Sequence, residues 1–210
     1  MIAPDGSNST DTRIPEPELR ARLRASSVAI LGCGGLGSNV AAMLLRSGVR
    51  TLALVDVDRV EVDNLNRQLF FRDQIGMLKV EALAETLDRI DPDARLTLVD
   101  GFIDAASLPR IVAGADVIVE AVDGVETKTL IADVCGRELP DVPLVSASGL
   151  AGYDSANRIE TVRVADNLWV AGDLESDVRE GHALLASRVM VAAAHQAHAV
   201  IRLLIGLDGE

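Results

Sequence analysis

Residues 27–37 read SVAILGCGGLG, an apolar run that passes directly into glycines spaced as Gly32, Gly34 and Gly37. A short apolar run bounded by a turn suits a strand covered on both faces, and LGSNVAAMLLRSG after it has helical periodicity closed by Gly48. TLALVDVD supplies a second buried strand. Strand, glycine turn, helix and strand in that order open a doubly wound sheet.

The same rhythm continues. GMLKVEALAETLDRIDP reads as an amphipathic helix halted before Pro92, RLTLVD as a strand and SLPRIVAGA as a short helix. DVIVEAVD, GVETKTLIADVCGREL and PLVSASG add a strand, a helix and a strand. The expected class is α/β: a Rossmann-like, mainly parallel sheet with helices on both faces. From Gly149 the rhythm changes. RIETVRV and NLWVAG look like strands with no helix between them, expected as antiparallel additions near the C-terminus, before a long closing helix in LLASRVMVAAAHQAHAVIRLLIG. PELRARLRAS is a short basic helix. Residues 1–15, rich in Ser, Thr, Asn, Asp and Pro, are expected to be a flexible leader, leaving 16–210 as a single domain. A chain of 210 residues that is 49% hydrophobic is long enough for one such core.

Charge narrows the partners. A net charge of −12 provides no basic field for a polyanion, so no long nucleic acid is expected, although local arginines suit a single nucleotide. The N-terminus lacks the basic and apolar regions of a signal peptide, and the closing helix carries Arg188, His195, His198 and Arg202, so no membrane partner is expected. Cys33 and Cys135 are too few for a disulfide framework and form no Cys-x-x-Cys pair. A reducing, cytoplasmic setting follows as an expectation.

The glycine turn suits phosphate. Its glycines allow a tight turn and close backbone approach, and the following helix start offers unpaired N–H groups. A purely structural turn is the bland alternative. Asp56, nineteen positions beyond Gly37, stands where the fingerprint puts an acid on ribose hydroxyls. NAD and ATP both contain that ribose, so the turn and Asp56 do not choose between them. The stretch DVDRVEVDNLNRQLFF, with Asn64, Asn66, Arg67 and Gln68, and then Lys79, carries more charge than a diester pyrophosphate needs. Alternatively, Arg67 pairs with Asp63 or Asp73 and Lys79 with Glu81 on a solvated surface.

In this order GCGGLGS, DVDRVEVDNLNRQ, the lysine of GMLKVEA and the aspartate of VIVEAVDG resemble the motif set of the ubiquitin-activating-enzyme-like superfamily, which includes ThiF, MoeB and HesA. The likeness covers about residues 27–150. SGLAGY and SRVMVAAAHQAHAVIRLLIG further resemble a short ThiF form, family 2, associated with thiamine biosynthesis. The resemblance implies a cytoplasmic homodimer that binds ATP and Mg2+ and adenylates the C-terminal Gly-Gly tail of a small ubiquitin-fold sulfur-carrier protein, releasing pyrophosphate. On matching positions, Gly32, Gly34, Gly35, Gly37, Asp56, Asp58, Asn64, Arg67, Gln68 and Lys79 would bind ATP. Arg67, Lys79 and Asp123 would carry the chemistry, with Asp123 holding magnesium. Asp123 also suits a helix N-cap.

Departures from the family set further expectations. Many relatives bind zinc through two Cys-x-x-Cys pairs, and none exists here, so no zinc is expected. Many carry an Arg-Tyr-containing N-terminal motif that reaches ATP across a dimer; here Arg13, Arg20, Arg22 and Arg24 are the only candidates. Some relatives use a cysteine as a nucleophile; Cys135, well inside the helix after Asp123, reads instead as a buried small residue, and Cys33 as a small side chain in the turn. His182, His195 and His198 read as surface or interface groups rather than metal ligands, and Trp169 as a packing residue. Three other readings remain: a nucleotide-binding partner protein without turnover; an NAD-dependent oxidoreductase, which leaves Arg67 and Lys79 without a purpose; and a related enzyme that adenylates a small molecule or an RNA base, the acidic charge disfavouring RNA.

Overall fold

The computed structural model describes residues 14–176 and 182–209. Residues 1–13 of the expected leader, Arg13 among them, lie outside the described residues. The run SVAIL is β1 (Ser27–Leu31), flanked in parallel by β2 (Thr51–Asp56) and β4 (Val117–Glu120). β3 (Arg95–Asp100) pairs with β2, and β5 (Leu144–Ala147) with β4. The last two strands, β6 (Glu160–Ala165) and β7 (Leu168–Gly172), form an antiparallel hairpin and complete a seven-stranded sheet of order β3-β2-β1-β4-β5-β7-β6. β7 takes the inner place and runs parallel to β5, so β6 alone opposes its neighbour. Burial explains that order: Trp169 and Ala171 of β7 are buried, whereas β6 has no fully buried residue.

Alternation along the strands divides the core into two layers. Val28 and Ile30 of β1 face one layer with α1 (Glu16–Ala25), α2 (Gly37–Ser47), α3 (Lys79–Asp88) and α6 (Ala186–Leu204). Ala29 and Leu31 face the other, with α4 (Leu108–Ile111) and α5 (Val125–Glu138). Each large apolar side chain so buried contributes about 1.5–3 kcal/mol. α2 stops where Gly48 adopts a φ of 108°, a left-handed conformation that suits glycine.

Because β1, β2, β4, β5 and β7 run the same way, the loops that follow them open on one edge. The strand order reverses between β1 and β4, which makes that edge a crevice at a topological switch point. α1 lies at the opposite edge, where it leads into β1 and meets the end of α2. No helix among the described residues is long and apolar enough to cross a membrane.

Candidate functional site

Two glycines build the turn and a third leaves it open. Gly32 has a φ of 100°, and a Cβ there would stand 2.6 Å from the Ala121 carbonyl oxygen. At Gly37 a Cβ would fall 1.8 Å from the Gly32 oxygen, so only glycine lets α2 start this close to β1. A Cβ on Gly34 would meet nothing nearer than Gln68 Nε2, at 3.7 Å. No side chain caps α2; the Ser38 N–H donates to the Gly34 oxygen at 3.1 Å, and the positive dipole end of the helix lies at the turn, an arrangement that suits an anion.

Ser38 and Asn39 join this turn to the loop after β2. The Ser38 hydroxyl donates to the Gly34 oxygen at 2.6 Å and accepts from the Leu69 N–H at 3.0 Å. Asn39 Nδ2 donates to the oxygens of Gly35, at 2.7 Å, and Arg67, at 3.2 Å. Both residues are buried, and sequence reasoning passed over them; polar residues in the first turn of an apolar helix were the available signal. The stem of Arg67 consequently lies over Gly35, whose built Cβ would sit 3.4 Å from Arg67 Cγ.

Asp56 closes β2 against the turn: one carboxylate oxygen accepts from the Cys33 N–H at 2.6 Å, the other from the Asp58 N–H at 2.8 Å. A carboxylate has lone pairs beyond those two for ribose hydroxyls. Asp58 serves Lys79, whose Nζ lies 2.7 Å from Asp58 Oδ2 and whose N–H donates to the Asp58 oxygen. Lys79 is thus buried and paired across the loop rather than with Glu81. Asn64 accepts from the Glu61 N–H through Oδ1 at 3.0 Å, leaving its amide NH2 group for other acceptors. Arg67 donates to Asn66 Oδ1 and to the Asp63 carbonyl oxygen, so neither Asp63 nor Asp73 neutralises it through a carboxylate. Gln68 is buried, and its Oε1 has no hydrogen-bond partner among the described residues.

Asp123 follows β4 on the same edge and is exposed. The residue at the N-cap of α5 is Gly124, and no side chain caps that helix, so Asp123 does not fill the capping role. No cluster of three or more His, Cys, Asp or Glu among the described residues could enclose a metal. A single carboxylate does suit magnesium held mainly by phosphates.

The profile of the ThiF family matches residues 8–210. This chain belongs to the ThiF family. It is 32% identical over 143 residues to the tRNA threonylcarbamoyladenosine dehydratase of Escherichia coli, covering 67% of this chain and 53% of that protein. It is 38% identical over 130 residues to the SAMP-activating enzyme E1 of Haloferax volcanii, covering 61% and 47%. The chain therefore spans about half the length of these relatives. The crystal structure of the E. coli dehydratase in complex with AMP superposes with a TM-score of 0.81 at 22% identity, over 89% of each chain, which shows the shared fold.

The remaining expected positions of this ThiF chain lie away from the glycine turn or are buried. Arg20 and Arg22 are tied to Glu16 and Glu18 on α1, at the edge of the sheet opposite the glycine turn. The five residues of β1 lie between α1 and the turn, about 17 Å at strand rise, so Arg24 does not reach the turn of its own chain. Cys135 is buried under the sheet, and burial pushes its thiol up to about 11. Burial, then the Asp56 carboxylate, raises the Cys33 thiol well above its ordinary range. His195 Nδ1 lies 3.1 Å from the Thr161 hydroxyl, and with the exposed His198 it lines a cavity of 530 Å3 between α6 and β6, not the glycine turn. Trp169 is packed: Nε1 donates to Asp208 Oδ1 at 2.9 Å, and the Arg163 guanidinium lies 5.1 Å from the ring centroid. His182 lies beside Gly152, on the loop after β5.

Proposed function

We propose that this chain is an adenylyltransferase that uses ATP to activate the C-terminal glycine carboxylate of a small ubiquitin-fold sulfur-carrier protein, within thiamine thiazole biosynthesis. The observation that carries the reading is the pair of cations at the glycine turn. Lys79 is buried and held by Asp58, and Arg67 lies across Gly35 with no carboxylate partner among the described residues. A dinucleotide diester needs neither, whereas a triphosphate losing pyrophosphate needs charge to offset both the approaching anion and the leaving group.

In this reading the N–H groups of the turn and of α2 hold phosphate oxygens above Gly34. Asp56 accepts from the ribose hydroxyls, and the Asn64 amide and buried Gln68 orient the loop against the nucleotide. The acceptor carboxylate is already ionised near neutral pH, so no general base is required. It attacks the α-phosphorus and the bond to pyrophosphate breaks, giving an acyl-adenylate, while Arg67 and Lys79 stabilise charge on the departing oxygens. Magnesium, when bound, would offset further phosphate charge, and Asp123 is the residue that would hold it. The buried Cys135 has no part, so sulfur delivery falls to another protein.

A tRNA-directed reaction is the second reading, motivated by the dehydratase relatives. A net charge of −12 weighs against it. The test is pyrophosphate exchange into ATP, assayed with the full chain and a carrier ending in Gly-Gly. Carrier-dependent exchange is expected; ATP binding without exchange, across carriers from thiamine and molybdopterin pathways alike, would sink the proposal.

A further inference from the structure

Side chains, rather than the strand ladder, hold the carboxyl ends of β4 and β5 together. Registered pairing ends at Val119 and Val145. Beyond it, on the α6 face, Gln196 Nε2 donates to the Glu120 oxygen at 2.9 Å and the Val145 oxygen at 3.3 Å. On the α5 face the Glu120 side chain, 1% exposed, accepts Lys128 Nζ at 2.8 Å on each carboxylate oxygen and the Ser146 hydroxyl on one of them. The third ammonium proton of Lys128 goes to the Ala147 oxygen at 3.1 Å, so this cation is saturated within its own fold. Glu120 makes one more contact. Its Oε1 accepts from the Val122 N–H at 2.8 Å, and Asp123 is the next residue.

Stability alone does not account for this group. Placing a carboxylate inside a sheet costs several kcal/mol, and apolar residues fill the preceding positions of β4 without that penalty. What a valine at residue 120 would not do is grip an amide two residues ahead, where the strand has ended. The Ala121 N–H is fixed by the Leu31 oxygen, and Gly32 packs against the Ala121 carbonyl. Glu120 extends that hold to the last residue before Asp123.

We propose that Glu120, held by Lys128 and Ser146, is a positioning residue that sets the Asp123 carboxylate beside the glycine turn to receive the metal of bound nucleotide. The proposal rests on the adenylation reading of Asp123. Glu120 and Lys128 touch no substrate; they act through the Val122 amide.

The test compares Glu120→Gln, Lys128→Met, Asp123→Asn and the Glu120→Gln/Asp123→Asn double variant in the full chain. Mn2+ binding to the complex with a non-hydrolysable ATP analogue is followed by electron paramagnetic resonance, and metal-free nucleotide affinity by calorimetry. Glu120→Gln and Lys128→Met are each expected to weaken Mn2+ binding about fivefold or more while leaving metal-free nucleotide affinity within about twofold, as for loss of a charged hydrogen bond. The double variant should bind Mn2+ no more weakly than Asp123→Asn alone, because both changes act on one carboxylate. Additive losses, or unchanged Mn2+ binding in Lys128→Met, overturn the positioning role. Lys128 is on a helix with its side chain 28% exposed, so that variant serves if Glu120→Gln does not fold. Full Mn2+ binding by Asp123→Asn removes Asp123 and this proposal together. Absence of exchange in the parent protein, with Glu120-dependent Mn2+ binding intact, overturns only the acceptor assignment.

Discussion

Lys79 and Asp58 are unequally placed: the lysine side chain is 8% exposed and the aspartate 61%. The acid therefore remains largely hydrated while the ammonium is held towards the turn, where its charge also acts on the Cys33 thiol. A charge-assisted hydrogen bond is worth about 1.5–3 kcal/mol, so Lys79→Met is expected to weaken ATP binding roughly tenfold to a hundredfold. Asp58→Asn should cost less, since it loosens the lysine without removing it. Calorimetric titration orders the two, and unchanged affinity in Lys79→Met would take that residue out of the site. Cys135 gives a prediction in pH. Its thiol ionises near 9.0 when unfolded but only at about 11 when folded, so its contribution to stability is whole below 9.0 and is lost as pH rises through about 11. That difference corresponds to a few kcal/mol at most. Cys135→Ala should flatten the loss of stability between about pH 9 and pH 11 in urea melts, and should retain exchange activity. Loss of exchange in a folded Cys135→Ala protein would restore the cysteine to the mechanism.

At the scale of elements, the glycine turn separates a building role from a binding role. Gly37→Ala drives a Cβ into the Gly32 oxygen at 1.8 Å and should destabilise the fold by several kcal/mol, because helix and strand must separate. Gly34→Ala meets only ordinary contact and should change stability by less than about 1 kcal/mol, yet it fills the space proposed for phosphate and should abolish ATP binding. Denaturant midpoints and nucleotide titration on both variants test this; normal ATP affinity in Gly34→Ala places the phosphates elsewhere. The turn was legible because its signal is local: a short apolar run, spaced glycines and a helical period are adjacent in sequence. The hairpin was legible as two strands, but nothing local says which strand pairs with β5; burial of Trp169 and Ala171 decides it. Ser38 and Asn39 escaped notice for a related reason, since their partners on the next loop are 31 and 28 residues away. The pairing of Asp58 with Lys79 spans 21 residues and has no local signal either.

At the scale of the whole molecule, charge bears on the acceptor. The chain carries 32 acidic against 20 basic residues, and a tRNA would meet repulsion wherever arginines do not locally reverse it. Two arginines of α1 are neutralised by neighbouring glutamates, and Arg188 is buried against Asp173. That last pair secures the loop after β5: Arg188 donates to the Asp154 oxygen, while the Ser176 and Glu175 amides and Arg188 hold the Asp173 carboxyl low despite its burial. These cations serve the fold, and those at the glycine turn suit one nucleotide. Bulk tRNA should therefore show no saturable binding at about 150 mM salt, and excess tRNA should not inhibit carrier-dependent exchange. Association with a carrier whose tail is flanked by basic residues should weaken as salt rises, because complementary fields are screened beyond about 8 Å, whereas binding of ATP inside the crevice should change less. Fluorescence anisotropy with labelled tRNA and labelled carrier across a salt series separates the cases. If tRNA binds tightly and stimulates turnover of ATP while carriers do not, the acceptor is the one named by the dehydratase relatives, and the glycine turn serves a carboxylate borne on RNA.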